Sequence, residues 1–396
     1  MRNRLHTALT LAVLMSVAIA VALFYTTPIA VDQYGDFKKH VEWAAQMSAT
    51  REFALPHFFF HLLTVVTASL TGARLMPAAI ALAATAQGFT CLMLICMIRY
   101  KGLGLSREIS MDTAIIAGFA LSFVGPLSLF TFPNLYLGYP GISCAHNPTI
   151  ILLRPWAVAL FIVTLRLLAS ESWSQWRRLA VGAAVLVVVG GLTKPSYNAC
   201  LAPALALVLL FRFRQERSLS KISLATFAVI ALSISAITLW QIRFTYGDGS
   251  DAGIMIAPLK VMSFWNHGSR GITITKLALG LAFPLFVAIA YRNAKGWASD
   301  AFALSWFATI MAIGSAYGLA ETGVRSMDAN LTWSMQICLL IVMAVSLAVF
   351  LSEETWFHKD DSARITWKTV FGSLLFLLHF LSGLAYIVFA PPELRV

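Results

Sequence analysis

The sequence predicts an all-α fold, a polytopic bundle of transmembrane helices, and three observations carry that prediction. Hydrophobic residues make up 59% of the 396 and charged residues 12%, against roughly 45–50% and 25% in a soluble domain. The apolar residues gather into runs near the ~20 residues that span a bilayer. The basic residues fall mainly in the short breaks between those runs, where they set topology. The net charge of +11 therefore implies the lipid bilayer as a partner and no nucleic acid.

Taken in order, the first apolar run, residues 7–30, follows Arg2 and Arg4 as a signal peptide would. It is longer than the ~7–15 residues of a signal core and has no small-x-small cleavage site before Asp32, so it reads as a retained first span leaving the cytoplasm. An external loop over residues 31–71 follows. Residues 36–47 set Phe37, Val41, Trp43, Ala44 and Met47 against Lys38, Lys39 and Glu42, the pattern of a short interfacial helix. Residues 56–70 are apolar but too few for a full span, and are expected as a second, half-inserted juxtamembrane helix.

Charge supports that choice. The run 75–98 ends in Arg99, Lys101 and Arg107, and a half-inserted helix before it places this basic loop inside. The remaining spans are expected at residues 113–132, 149–169, 179–192, 197–211, 222–242, 272–291, 301–320, 332–351 and 369–390, about 11 spans in all with the C-terminus outside. Residues 75–390 thus join the first span and its loop in a single integral-membrane domain, 1–396. The five cysteines, Cys91, Cys96, Cys144, Cys200 and Cys338, contain no CxxC and make neither a disulfide framework nor a zinc site.

Chemistry is expected in the polar breaks on the external side. Asp32, Asp36 and His40 come first. On a helix beginning near Asp36, His40 lies one turn on and on the same face, so an acid that removes a hydroxyl proton and an imidazole that orients the ligand meet there. The plainer reading makes Asp36 a helix N-cap. His57 and His61 have i, i+4 spacing but lack the HExxH acid, so a divalent metal has no motif behind it, and His57 is expected to point into a polar cavity. His146 and Asn147 precede Pro148 at a span start and can donate hydrogen bonds to sugar or phosphate. Arg154 lies a turn into that span, either facing a ligand or snorkelling to headgroups. Lys194, followed by Pro195, Ser196 and Tyr197 in a tight external hairpin, suits a phosphate leaving group. Arg325, Asp328, Asn330 and Trp333 offer a cation, an acceptor, an amide and a stacking surface before a late span, unless Arg325 and Asp328 form a plain ion pair. The segment 243–271, with Trp265, His267 and Arg270, suits an acceptor site or a mobile loop.

Four local runs carry a resemblance. Gly35, Asp36 and Phe37 with His40, then Pro56, His57 and His61, form one. Residues 146–149, residues 194–196 and residues 325–333 form the others. With the span pattern, they resemble the GT-C superfamily of polyprenyl-phosphate-sugar-dependent integral-membrane glycosyltransferases, in its bacterial form. The resemblance implies an inverting transfer outside the cytoplasmic membrane from a polyprenyl-phosphate-linked sugar to a glycan or glycolipid acceptor. The first-loop acid acts as base; by position that acid is Asp36, with Asp32 as the fallback. Between residues 134 and 149 the chain has no second-loop acid, a departure from members that use two acids or a metal. Two rival readings stand beside it: an O-antigen or exopolysaccharide polymerase or ligase, which would depend on Arg243, His267 and Arg270, and a transporter or flippase of lipid-linked substrates.

Overall fold

Nearly every apolar run becomes a helix, and serines at the breaks start several of them. The computed structural model describes residues 2–31, 36–53, 55–128, 139, 147–246, 253–354 and 365–389. The elements are α1 (Arg2–Val31), α2 (Asp36–Thr50), α3 (Phe59–Thr71), α4 (Leu75–Ile98), α5 (Met111–Leu121), α6 (Pro148–Leu168), α7 (Trp173–Thr193), α8 (Ser196–Glu216), α9 (Lys221–Tyr246), β1 (Ile254–Ile256), α10 (Lys260–Phe264), α11 (Arg270–Ala290), α12 (Asp300–Gly318), β2 (Leu319–Glu321), α13 (Trp333–Glu353) and α14 (Trp367–Phe389). Ser110, Ser172, Ser269 and Ser299 cap α5, α7, α11 and α12 by accepting a backbone N–H of the first turn. Among the described residues, nine helices (α4, α6 to α9 and α11 to α14) are long and apolar enough to cross a bilayer, and α1 is a 30-residue helix.

α13 forms the axis of the bundle. Its residues from Trp333 to Ser352 are all buried, as expected of a helix that is apolar all round. It packs against α12, α11, α8, α4, α6 and α5. On one side α4 carries α1 and α6; beyond them α7 packs between α6 and α9. At one end Arg212 of α8 donates through Nε to Asp300 of α12 at 2.8 Å and through Nη1 to Ser223 of α9 at 3.1 Å. Cys91, Cys96, Cys200 and Cys338 are free thiols.

The two juxtamembrane helices take the expected places. α2 buries Phe37, His40, Ala44 and Met47, one face at helical spacing. α3 has 13 residues, about 20 Å of rise against a ~30 Å hydrocarbon core. It packs on α2 and α4.

Two places depart from the sequence expectation. The span expected over 113–132 stays helical only to Leu121, because Gly125 and Pro126 follow. Irregular backbone at membrane depth requires protein partners, and α14 supplies them. Gly125 N–H donates to the His379 carbonyl at 3.0 Å. His379 Nδ1 donates back to the Gly125 carbonyl at 2.7 Å, and Ser382 Oγ accepts from Ser128 N at 2.9 Å. The second departure is in the segment 243–271. Its described part is anchored, with β1 pairing antiparallel to β2, Ile254 opposite Glu321. Strands of three residues are too short to leave a period in the sequence.

Candidate active site

The α2 start, the α3 start, the α6 start, the α7–α8 hairpin and the approach to α13 converge at one end of the bundle. Asn147 joins the first of these to the third. As N-cap of α6, its Oδ1 accepts from Thr149 N at 3.1 Å, Ile150 N at 3.3 Å and Thr149 Oγ1 at 2.6 Å. With the oxygen so committed, the amide orientation is fixed. Nδ2 then donates to Asp36 Oδ2 at 2.6 Å, across 111 positions of sequence. Pro148 in the first turn holds the helix start in place. The half-buried Asp36 carboxylate is thus held by an amide that is itself locked to a helix end.

One turn along α2, His40 Nδ1 meets His61 Nε2 at 2.9 Å, with the rings stacked. Both are buried. His57 precedes α3, so His57 and His61 do not share one helical face. Among the described residues no group of three or more His, Cys, Asp or Glu is placed to hold a metal.

The cations come from two further loops. Lys194 is the C-cap of α7 and Pro195 the N-cap of α8, a turn that fixes Lys194 at the helix end. Its Nζ lies 4.9 Å from the centre of the Trp333 ring, a cation–π contact. Arg325 ends a short 3₁₀ turn opened by Gly323 at φ +68, and its backbone carbonyl accepts from Asp328 N at 3.0 Å. No ion pair joins Arg325 and Asp328 among the described residues. Trp265 Nε1 donates to the Met327 carbonyl at 3.0 Å, and Asn330 Nδ2 to Glu321 Oε2 at 2.7 Å. The 253–271 segment thereby braces the loop that carries Arg325.

The electrostatics tie these parts together. Burial, then the charges of Lys194, His61 and Arg325, push the His57 imidazole down to about 3. Burial lowers His61 to about 4 against a hydrogen bond that its ring donates to the Phe58 backbone, with Lys194 adding to the fall. His40 is lowered well below its ordinary value by burial first, then His61 and Lys194. The low values at His57 and His61 leave these rings neutral at physiological pH beside the cationic Lys194, with Arg325 also acting on His57. The unfolded chain takes up protons near pH 6.5, the folded chain only near 3 to 4 at His57 and His61. Their contribution to stability is therefore complete above about pH 6.5 and is lost as pH falls toward 4. Thermal unfolding midpoints should fall over that window, and His57→Phe should flatten the slope by at most about 1 kcal/mol per pH unit. A variant with the parent's slope would remove His57 from this account.

Two other expected site residues are buried. Tyr197 is fully buried in the core cluster with Cys200 and Cys338. Arg154 does not snorkel to headgroups. It is buried, with Nη1 donating to Gln87 Oε1 at 3.0 Å, while Gln87 Nε2 donates to the Ser122 carbonyl at 2.6 Å. Sequence reasoning missed Gln87 and the bracing role of Trp265. A polar side chain midway along the apolar run 75–98 was the available signal for the first. Asp32 and His146 lie outside the described residues, as do Cys144 and residues 247–252.

No known family pattern matches the chain, and no curated protein does. Among solved structures, the oligosaccharyltransferase AglB of Archaeoglobus fulgidus with an inhibitory peptide and a dolichol-phosphate is similar over 96% of this chain and 56% of its own, with 11% identity and a TM-score of 0.46. The A. fulgidus oligosaccharyltransferase with Zn and sulfate is similar over 82% and 44%, with 12% identity and a TM-score of 0.42. The same enzyme tethered to an acceptor peptide gives 92%, 51%, 11% and 0.44. This chain spans about half the length of these structures.

Proposed function

We propose that this protein is a membrane glycosyltransferase that moves a sugar from a polyprenyl-phosphate donor to a lipid-linked or cell-surface glycan acceptor. The observation that carries the reading is a positioned carboxylate, Asp36 on Asn147, one turn from His40, which feels His57 and Lys194, while His57 feels both Lys194 and Arg325. A base and an anion site at one end of an apolar bundle are what transfer from a membrane-anchored phosphate donor requires. In the proposed step Asp36 takes the acceptor hydroxyl proton and the acceptor oxygen bonds to the anomeric carbon. The carbon–oxygen bond to phosphate breaks, and the electron pair leaves with the polyprenyl phosphate. Attack from the face opposite the phosphate inverts the anomeric centre. Lys194 and Arg325 stabilise the departing charge, and Trp333 holds Lys194 in place.

The basic residues favour an external site on a cytoplasmic membrane, with the N-terminus inside. Arg99, Lys101, Arg212, Arg217, Lys221, Arg292 and Lys368 lie at the helix ends opposite Asp36, the side the positive-inside rule assigns to the cytoplasm.

Lys194→Ala should raise the KM for donor and lower kcat/KM by about 10- to 100-fold, as expected for a lost charge-assisted contact of ~1.5–3 kcal/mol. Steady-state kinetics with a lipid-linked donor checks this, and unchanged kinetics would take the phosphate away from Lys194. The broader test is mass spectrometry of surface glycans and lipid-linked saccharides from cells with and without the protein. A discrete missing sugar supports the reading. A change of chain length, with activity lost through Arg243, His267 or Arg270 but not Asp36, would point to a polymerase or ligase. Lipid-linked substrate crossing proteoliposomes with no covalent product would point to transport.

A further inference from the structure

At the end of the bundle opposite Asp36, α1, α4, α5 and α6 leave a cavity of about 590 Å³. Its walls divide into two layers. Leu11, Leu92 and Ile162 form an apolar lower part, while Arg99, Tyr100 and Arg166 line the upper part. Leu92 and Ile162 are each six residues before the end of their helix, about 9 Å deeper along the axis. The cationic layer thus lies nearer the helix ends than the apolar layer.

Among the described residues neither guanidinium of this cavity makes an ion pair, although Glu108 feels the charge of Arg99. Arg99 Nη1 has Met111 Sδ at 3.7 Å as its hydrogen-bond acceptor. Glu108, in the loop after α4, is paired with Lys101 at 2.9 Å. Among the described residues no carboxylate forms an ion pair with Arg99 or Arg166. Burial raises the Tyr100 hydroxyl above its ordinary range and Arg166 pulls it the other way, which puts the guanidinium near the phenol.

We propose that this cavity binds one anionic glycerophospholipid, its phosphate between Arg99 and Arg166, the Tyr100 hydroxyl donating to it, and its acyl chains against Leu11, Leu92 and Ile162. Two guanidinium groups that make no ion pair among the described residues, set over an apolar slot, match a negatively charged headgroup on a lipid tail. A zwitterionic headgroup carries its own cation into the same place and gains less. The site is separate from the transfer chemistry, and its failure would leave that reading untouched.

Native mass spectrometry of the full-length protein in detergent tests it, after equilibration with dioleoyl phosphatidylglycerol, with dioleoyl phosphatidylcholine, or with inorganic phosphate. The wild type should retain one phosphatidylglycerol at least about tenfold more than phosphatidylcholine, and Arg99→Gln with Arg166→Gln should remove the preference. Equal retention of the two lipids, or a preference that survives the double variant, overturns the proposal. Retention of inorganic phosphate in place of lipid would make this a soluble-anion site and overturn it as well. Cys96, an exposed free thiol lining the same cavity, gives a readout that needs no substitution. Its reaction with a maleimide should be slower in phosphatidylglycerol nanodiscs than in phosphatidylcholine nanodiscs, and equal rates would count against the site.

Discussion

Asp36→Asn is expected to lower sugar transfer by about a thousandfold, the range of a lost general base, without loss of folded protein. Asparagine has nearly the shape of aspartate, and its carbonyl oxygen can still accept from Asn147 Nδ2, which now lies 2.6 Å from the carboxylate. Glycan mass spectrometry and the thermal midpoint, measured on the same preparation, check both halves. Activity retained in this variant would move the base to Asp32. Asn147→Asp sharpens the test, because aspartate caps a helix as well as asparagine does. The α6 start is kept, but a second carboxylate faces Asp36 in place of an amide donor. Transfer should fall, and the melting midpoint with it, because the new carboxylate is buried against Asp36; transfer at the wild-type level would remove Asn147 from the positioning of Asp36.

The largest expected loss of stability is at Gly383, where α14 crosses the irregular segment after α5. A Cβ built on Gly383 would fall on the Phe123 carbonyl oxygen and lie 2.7 Å from Gly125 N and 2.8 Å from the Val124 carbonyl carbon. These obstacles are backbone atoms, which cannot swing aside as the tip of a long side chain can. Relief requires moving the segment away from α14, which would strain the His379–Gly125 and Ser128–Ser382 hydrogen bonds. Gly383→Ala should therefore destabilise by about 3 kcal/mol or more, the upper part of the overpacking range. Thermal unfolding in detergent measures it. Gly314→Ala, at a glycine with no heavy atom within 4 Å of the added Cβ, is the control and should be near neutral. Equal midpoints for the two variants would refute the close approach.

Particular residues mark how far the sequence alone could be read. The lengths of the apolar runs and the positions of the loop cations were enough for the helices and their order. Both are local quantities, set by bilayer thickness and the 1.5 Å rise of a helix. Asp36, His40, Lys194 and Arg325 stood out because a charge or imidazole beside an apolar run has few bland uses. The break in the span 113–132 was written in Gly125 and Pro126, but its partners in α14, more than 250 positions on, were not. The burial of Tyr197 and the turn of Arg154 toward Gln87 were likewise invisible, because both depend on which face of a helix meets the core, and a run that is apolar all round carries no amphipathic period to say so.

The sequence by itself determined that this is a membrane-spanning helical protein, with its candidate site residues in and beside the breaks between apolar runs. Only the tertiary structure decided which of them meet. Asn147 reaches Asp36 across 111 residues, His61 closes on His40, and Lys194 lies over Trp333. Hydrogen bonds and cation–π contacts act over a few ångströms, and the chain brings those groups together only after the helices between them have packed.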